Sequence, residues 1–239
     1  MKHPIGPRAK PKLSPKESGE HRELKVKVKT AKRRKLASTR WLERQLNDPY
    51  VAEAKRLGYR GRAAFKLLQL DAKVQFLKPH SRVVDLGCAP GGWLQVMATK
   101  CPKGQIVGID LQAVEPVAGT YAIVGDVRDP QDRQRLRALL QGPADAVISD
   151  MATASTGHSQ TDHMRVMELI ATSFDFAKQV MRPGGTFLAK TLRGGSDTEL
   201  LSQFKKAFEK VRHIKPSASR DDSKETFLVA TGFRHNNSD

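Results

Sequence analysis

From Arg82 onward, short apolar runs alternate with longer amphipathic stretches, and this alternation constrains the fold more than any other feature of the chain. Runs at 82–86, 105–110, 121–124, 145–149 and 186–190 have the length and apolar character of buried strands. Helical patterns fall at 93–99, 131–140, from 162 or 163 to about 181, and at 199–210. Pro183-Gly184-Gly185 reads as a turn, and 211–215 with 225–231 as a closing strand pair. Regular strand–helix alternation of this kind builds a mostly parallel sheet with helices on both faces, an α/β fold, here with seven strands.

Ahead of this pattern, Ser38 or Thr39 is placed to cap a short helix running through Leu46. A second helix is expected over about 62–76. Its apolar face carries Ala63, Leu67, Leu70 and Val74, with Ala64 and Leu68 beside it; its other face carries Arg62, Lys66, Gln69 and Lys73. The expected organisation is a basic, disordered extension over 1–37, one folded domain over 38–235 and a short tail over 236–239.

Charge narrows the function classes. The formal net charge is +17, and residues 1–40 hold 14 Lys and Arg against three Glu. An excess this large in 239 residues implies a polyanionic partner, with nucleic acid the first choice. Lys25 to Lys29 alternates with valine as an edge strand would, and Lys32-Arg33-Arg34-Lys35 looks like a phosphate-binding arm. No run of about eighteen apolar residues exists, and no apolar stretch follows the first charges, so neither a membrane span nor a signal peptide is expected. The two cysteines, Cys88 and Cys101, form no metal or disulfide pattern, which fits a reduced cytoplasmic setting. The seven histidines show no paired metal spacing, so no metal is expected.

Open α/β sheets bind ligands beyond the carboxyl ends of their strands, where the strand order reverses. Val83-Val84-Asp85-Leu86-Gly87-Cys88-Ala89-Pro90-Gly91-Gly92-Trp93 lies at such an end. Its glycines allow a sharp turn and close approach to a ligand, with Gly91 the candidate contact and Trp93 either flanking the ligand or packing at the helix start. The G-x-x-x-G-G spacing fits a dinucleotide fingerprint poorly. Acids end or follow the first three strands: Asp85, Asp110 and Asp126. Asp110 can accept from ribose hydroxyls and Asp126 from an exocyclic amine. Carboxylates around one crevice suit a sulfonium cation and would repel a pyrophosphate.

Further pieces make a match specific: Trp41-Leu42-Glu43-Arg44-Gln45, Asp48-Pro49-Tyr50-Val51, Arg60-Gly61-Arg62-Ala63-Ala64-Phe65-Lys66-Leu67, Ser149-Asp150-Met151-Ala152, Gly184-Gly185-Thr186-Phe187-Leu188-Ala189-Lys190, and Ser217 to Thr231. With the glycine loop, these resemble the FtsJ-like family of ribosomal RNA 2′-O-methyltransferases, the large-subunit methyltransferase E group. The resemblance implies a Rossmann-like class I methyltransferase fold and S-adenosyl-L-methionine as methyl donor. It implies a Lys66, Asp150, Lys190, Glu225 tetrad around the target hydroxyl, with Gly91, Trp93, Asp110, Asp126 and Asp150 on the cofactor. It also implies a monomer acting on a uridine of large-subunit (23S) ribosomal RNA, met in the 50S subunit. Lys190 ends an apolar run, where an unused charge is expensive, and can serve as the base that takes the hydroxyl proton. Lys66 would steady the developing alkoxide, Asp150 would position Lys190 and the methionine amino group, and Glu225 would hold the lysine network. The loop Thr153-Ala154-Ser155-Thr156-Gly157-His158 departs from the family's Pro-Asn continuation, which touches the RNA-facing edge more than the cofactor side.

Lys32 to Lys35, Arg40, Arg44, Arg60 and Arg62 are expected to form a basic lip at the active site. Three alternatives compete. A transfer RNA methyltransferase of the same family differs only in substrate, an inactive assembly factor would not need an intact tetrad, and a nicotinamide-dependent dehydrogenase would need another glycine spacing.

Overall fold

The computed structural model describes residue 30 and residues 35–193 and 198–234. The expected strand at 25–29, the arm residues 32–34 and the tail at 236–239 lie outside the described residues. Two compact units are present, the first ending at Asn47 and the second beginning at Asp48. In the first unit, α1 spans Leu36–Leu46. Its N-cap is Lys35, with no side-chain cap, rather than Ser38 or Thr39. Those residues lie inside the first turns, and the Thr39 hydroxyl donates back to the Lys35 carbonyl at 3.4 Å. A hydroxyl that satisfies a carbonyl one turn earlier is a helix-interior device, not a cap.

The second unit opens with a helix the apolar periodicity did not reveal, α2 at Pro49–Leu57. Asp48 Oδ1 accepts from the Tyr50 N–H at 3.0 Å, Pro49 takes the first helical position, and Gly58 ends the helix at φ +75°. These start and stop signals sufficed where the hydrophobic pattern was weak. Helix α3 follows at Ala63–Val74. Its buried face is Ala64, Leu67, Leu70 and Asp71, whereas Ala63 and Val74 are only half-buried. The face is thus rotated by about one residue from expectation, because Asp71 turns inward. There Oδ1 takes the Leu77 N–H at 2.9 Å and Oδ2 lies 3.1 Å from the Lys100 ammonium.

From there the chain alternates as expected: β1 Arg82–Leu86, α4 Gly92–Lys100, β2 Gln105–Asp110, β3 Tyr121–Val124, α5 Pro130–Leu140, β4 Ala144–Ser149, α6 Ser159–Val180, β5 Met181–Leu192, α7 Thr198–Ala207, β6 Phe208–Ile214 and β7 Glu225–Phe233. The sheet has seven strands in the order β3-β2-β1-β4-β5-β7-β6, all parallel except β7, which pairs antiparallel with both neighbours. Pro183-Gly184-Gly185 is not a free turn: it is absorbed into β5, which starts directly after α6, with the register against β4 shifting between Ala144 and Ala146. Strand β6 likewise starts three residues earlier than expected. Phe208 is fully buried, pairs with Phe233 and joins Phe174, Phe187 and Phe204 in one aromatic cluster, so packing takes it out of α7.

The core lies in two layers. One, centred on Val84, Val107, Val147 and Phe187, is closed by α5, α6 and α7; the other, centred on Val83, Ile106, Ile148 and Leu188, is closed by α3 and α4. Successive strand residues point to opposite layers, the period of a sheet buried on both faces. The strand order reverses between β1 and β4, which fixes where a ligand crevice should open.

Candidate active site

A cavity of about 600 Å³ opens at that reversal, past the carboxyl ends of β1, β2, β3 and β4. Gly87, Asp110, Asp126 and Asp150 line it, together with apolar atoms of Pro90, Ile109 and Met151. Gly87 has φ +82°, and a Cβ there would meet the Met151 main chain at 3.0 Å, so the β1 turn and the residue after Asp150 can approach only through a glycine. Gly91 has φ +102°, and a Cβ there would collide with the Arg60 guanidinium.

Each expected cofactor residue has a definite place. Asp110 accepts from the Ala89 N–H and the Gln112 N–H, each at 2.9 Å, so it braces the glycine turn while facing the cavity. Asp126 is paired with Arg128, whose Nη2 lies at 2.6 Å; hydrogen bonds from Arg128 hold its carboxyl below the usual carboxylate range. Gly91 precedes α4 and is bound up with Arg60 rather than lying on the cavity wall. The Trp93 ring is buried: its Nε1–H donates to the Ala63 carbonyl at 2.8 Å and its ring packs 5.9 Å from Phe227. The side chain of Trp93 therefore joins α4 to α3 and lies away from the cavity wall.

Asp85 differs from the other acids. It is fully buried under the glycine turn, and neither carboxylate oxygen has a hydrogen-bond partner among the described residues. Burial pushes its carboxyl well above the ordinary range, and the charges of Asp150 and Asp110 add to the shift. Three carboxyls that crowd one another in this way favour a cation among them. Burial likewise raises the Cys88 thiol far above its usual value, which makes it a packing residue rather than a nucleophile.

Beside the cavity two lysines stand in ion pairs. Lys66, on α3, lies 2.8 Å from both carboxylate oxygens of Glu225, the first residue of β7. Ser219 adds a hydroxyl donor to Glu225 Oε1 at 2.8 Å, a contact that no sequence spacing announced. Lys190, on β5, donates to the main-chain carbonyl of Asp150 at 2.6 Å and lies 3.0 Å from its Oδ1. That carboxylate oxygen has the charge beside it but no aligned hydrogen bond. The two pairs meet across the β5–β7 ladder. Lys190 is opposite Phe227, so Glu225 is its diagonal neighbour, and the Lys66 ammonium stands 5.9 Å above the Phe227 ring. Burial opposes the charged form of Glu225, but the Lys66 ammonium, hydrogen bonds from Lys66 and Ser219, and the Lys190 charge outweigh it and hold its carboxyl below the usual range. The four side chains are only 13–18% exposed, dry enough for charges to count and open enough to be reached.

The expected basic lip is only partly available. Arg60 turns inward and donates to the carbonyls of Pro90, Glu115 and Pro116 at 2.6–2.9 Å, tying the glycine turn to the loop after β2. Arg62 is spent on Asp48 and the Ala218 carbonyl. Both guanidiniums satisfy internal acceptors that local sequence does not reveal. In the departing loop, Asp162 accepts from the Ser155 hydroxyl and from the Thr156 N–H and hydroxyl, which bring it down to about 2 and give that segment its own hydrogen-bonded fold.

An open, mostly parallel sheet with an acid-walled cavity at its reversal point and lysine–carboxylate pairs beside it is the framework of a Rossmann-like methyltransferase. The chain belongs to the FtsJ-like methyltransferase family, which residues 59–233 match. It is 56% identical over 223 residues to the ribosomal RNA large subunit methyltransferase E of Paramagnetospirillum magneticum, covering 91% of each chain. It is 51% identical over 228 residues to the protein of the same name from Parvibaculum lavamentivorans, covering 91% of this chain and 90% of that one. Among solved structures, a protein described as a ribosomal RNA methyltransferase from Plasmodium falciparum superposes with a TM-score of 0.67 at 32% identity, over 73% of this chain and 98% of that one.

Proposed function

We propose that this enzyme transfers a methyl group from S-adenosylmethionine to the ribose 2′-hydroxyl of a uridine in large-subunit ribosomal RNA, met in an assembled or nearly assembled subunit. One observation carries the reading: Asp150 lines the cavity on one side and holds Lys190 on the other, so donor and acceptor chemistry share one residue. The names of the relatives support the RNA class.

The residues present fit the donor. Asp110 and Asp126 offer acceptors for its hydroxyl and amine groups, and the crowded carboxyls of Asp85, Asp110 and Asp150 favour its positive charges. When bound, S-adenosylmethionine supplies an electrophilic methyl on a sulfonium. Lys190 is held by the Asp150 carbonyl and stands beside its carboxylate, next to the place the hydroxyl would take. With the donor bound, the ribose oxygen would bond to the methyl carbon as the carbon–sulfur bond breaks and leaves a neutral thioether, and the hydroxyl proton would pass to Lys190 Nζ. Lys66, fixed by Glu225 and Ser219, donates to the oxygen while its charge develops. A monomer acting in the cytoplasm is part of this reading. Among the described residues no helix is long and apolar enough to cross a membrane.

The test offers purified enzyme and labelled donor to large subunits, deproteinised ribosomal RNA and transfer RNA. Label in a uridine 2′-O-methyl of the large-subunit RNA is the expected result. Label confined to transfer RNA, or on a base, would remove the proposal.

A further inference from the structure

A second cavity of about 600 Å³ lies at the opposite end of the sheet, at the amino ends of the parallel strands. Its floor is polar where a core would be apolar. Thr186, Thr231 and Lys210 form one row across β5, β7 and β6, each opposite the next in register. The face is open because α3 stops at Val74 and the chain turns away at Gln75, in the left-handed region at φ +56°, before the loop that walls the cavity. Lys78 and His80 project from that loop, and Arg212 stands beside Lys210 on the edge strand.

The charge balance here is one-sided. The single carboxylate in the lining, Asp145, is already engaged: Oδ1 takes Arg182 Nε–H at 2.5 Å and Oδ2 takes the Arg82 N–H at 2.6 Å. Lys78, Lys210 and Arg212 have no carboxylate partner among the described residues. Lysine on an edge strand has a simpler use, the prevention of strand pairing between molecules. That explains a cation on β6, but not the convergence of Lys78 from the 75–81 loop with Lys210 and Arg212 on the same hollow.

We infer that this cavity binds a backbone phosphate of the RNA substrate, at a distance from the nucleotide that is methylated; the inference rests on the ribosomal RNA reading above. Reach supports it. Lys66 and Val74 sit on the same helix, eight residues apart, which is about 12 Å, and Val74 lines the cavity. Thr186 and Lys190 lie on the same strand, four residues apart, roughly 13 Å. The cavity and the lysine pairs are therefore at two ends of one face, roughly 13 Å apart along the strand. Threonine hydroxyls and lysine and arginine donors are the groups that hold phosphate oxygens, and such contacts fix register without reading sequence.

The experiment compares the full chain with Lys210→Gln/Arg212→Gln and, separately, with Lys78→Gln. The probes are deproteinised large-subunit RNA, intact large subunits and inorganic polyphosphate, each titrated by direct binding over a range of salt. Lys78 lies in a loop, so one variant remains informative if the sheet-edge pair fails to fold. The double variant is expected to bind both probes about tenfold more weakly, with the slope of log affinity against log salt reduced by about one. Lys78→Gln should weaken binding about threefold. Affinity and slope equal to those of the unaltered protein would overturn the inference. So would a loss seen with intact subunits alone, which would assign the cavity to an acidic protein surface. Wild-type affinity for RNA in the variants, together with loss of inorganic polyphosphate binding, would assign it to a free phosphate compound. Binding is read without turnover. Failure of methyl transfer to ribosomal RNA in the unaltered protein would therefore strike the proposed function and leave these readouts interpretable.

Discussion

The two halves of the sheet that meet at the reversal point are built on different chemistry. In the β3-β2-β1 half, the site is shaped by backbone: glycines at positive φ, and Asp110 holding main-chain N–H groups. In the β4-β5-β7 half, it is shaped by side chains, two lysines each held by a carboxylate. The first arrangement makes an acid-walled cradle braced by main-chain hydrogen bonds. The second keeps two basic groups ready beside it without letting them drift into solvent. The proposed methyl transfer would need both, a fixed electrophile and a proton acceptor aligned with it, and the division would let each be held by the means that suits it.

Changes confined to one half should give signatures that do not overlap. The largest effect is expected from Lys190→Ala, which removes the proposed proton acceptor: kcat should fall by about 10²–10⁴ while donor affinity, read by calorimetry, changes little. Near-normal turnover would take Lys190 out of the proton-transfer role. Glu225→Gln should lower kcat by roughly one to two orders of magnitude, since Lys66 loses its counter-charge but Ser219 keeps a partner. Its stability signature follows from the lowered carboxyl. Glu225 contributes stability above its unfolded value of 4.5, and the contribution disappears as pH falls through the lower folded value. The gap in stability between wild type and variant should thus be full at neutral pH and close in strong acid.

Gly87→Ala should do the reverse of Lys190→Ala, weakening the donor about tenfold. The methyl would press on the Met151 main chain in a backbone region that costs alanine about 1–2 kcal/mol. Unchanged donor affinity would show that the two halves are not joined there. Asp85→Asn carries the smallest effect and an opposite sign. Because the folded carboxyl is raised, its stabilising contribution is complete below the unfolded value of 3.8 and is lost as pH climbs toward the folded value. The variant without donor should therefore unfold at a higher temperature than wild type at neutral pH, with a flatter pH dependence, and bind the donor less well. Equal or lower melting at neutral pH would contradict the buried, unpartnered reading of Asp85.

How much of this the sequence announced depends on the range of the interaction. Strand–helix alternation located the sheet, and Lys66, Asp150, Lys190 and Glu225 come together as two touching pairs. Helix α2 was not expected, because its apolar pattern is thin; its Asp-Pro start and terminal glycine are its local marks. The rotated face of α3 depended on Asp71 finding partners at Leu77 and Lys100. Arg60 and Arg62 looked like free cations because their acceptors, the carbonyls of Glu115, Pro116 and Ala218, are far away in the chain. Trp93 left the choice between cofactor and packing open, and only the position of Phe227 puts its ring in the core. Local signals carried the elements; which charges are spent and which stay available was decided by long-range contacts.

The most direct test is a map of ribose 2′-O-methylation across large-subunit ribosomal RNA from cells lacking this protein, then from the same cells supplied with wild type or Lys190→Ala. A single uridine methylation that disappears, returns with wild type and stays absent with Lys190→Ala is the predicted result. An unchanged methylation map in the deleted cells, or full restoration by Lys190→Ala, would contradict the account.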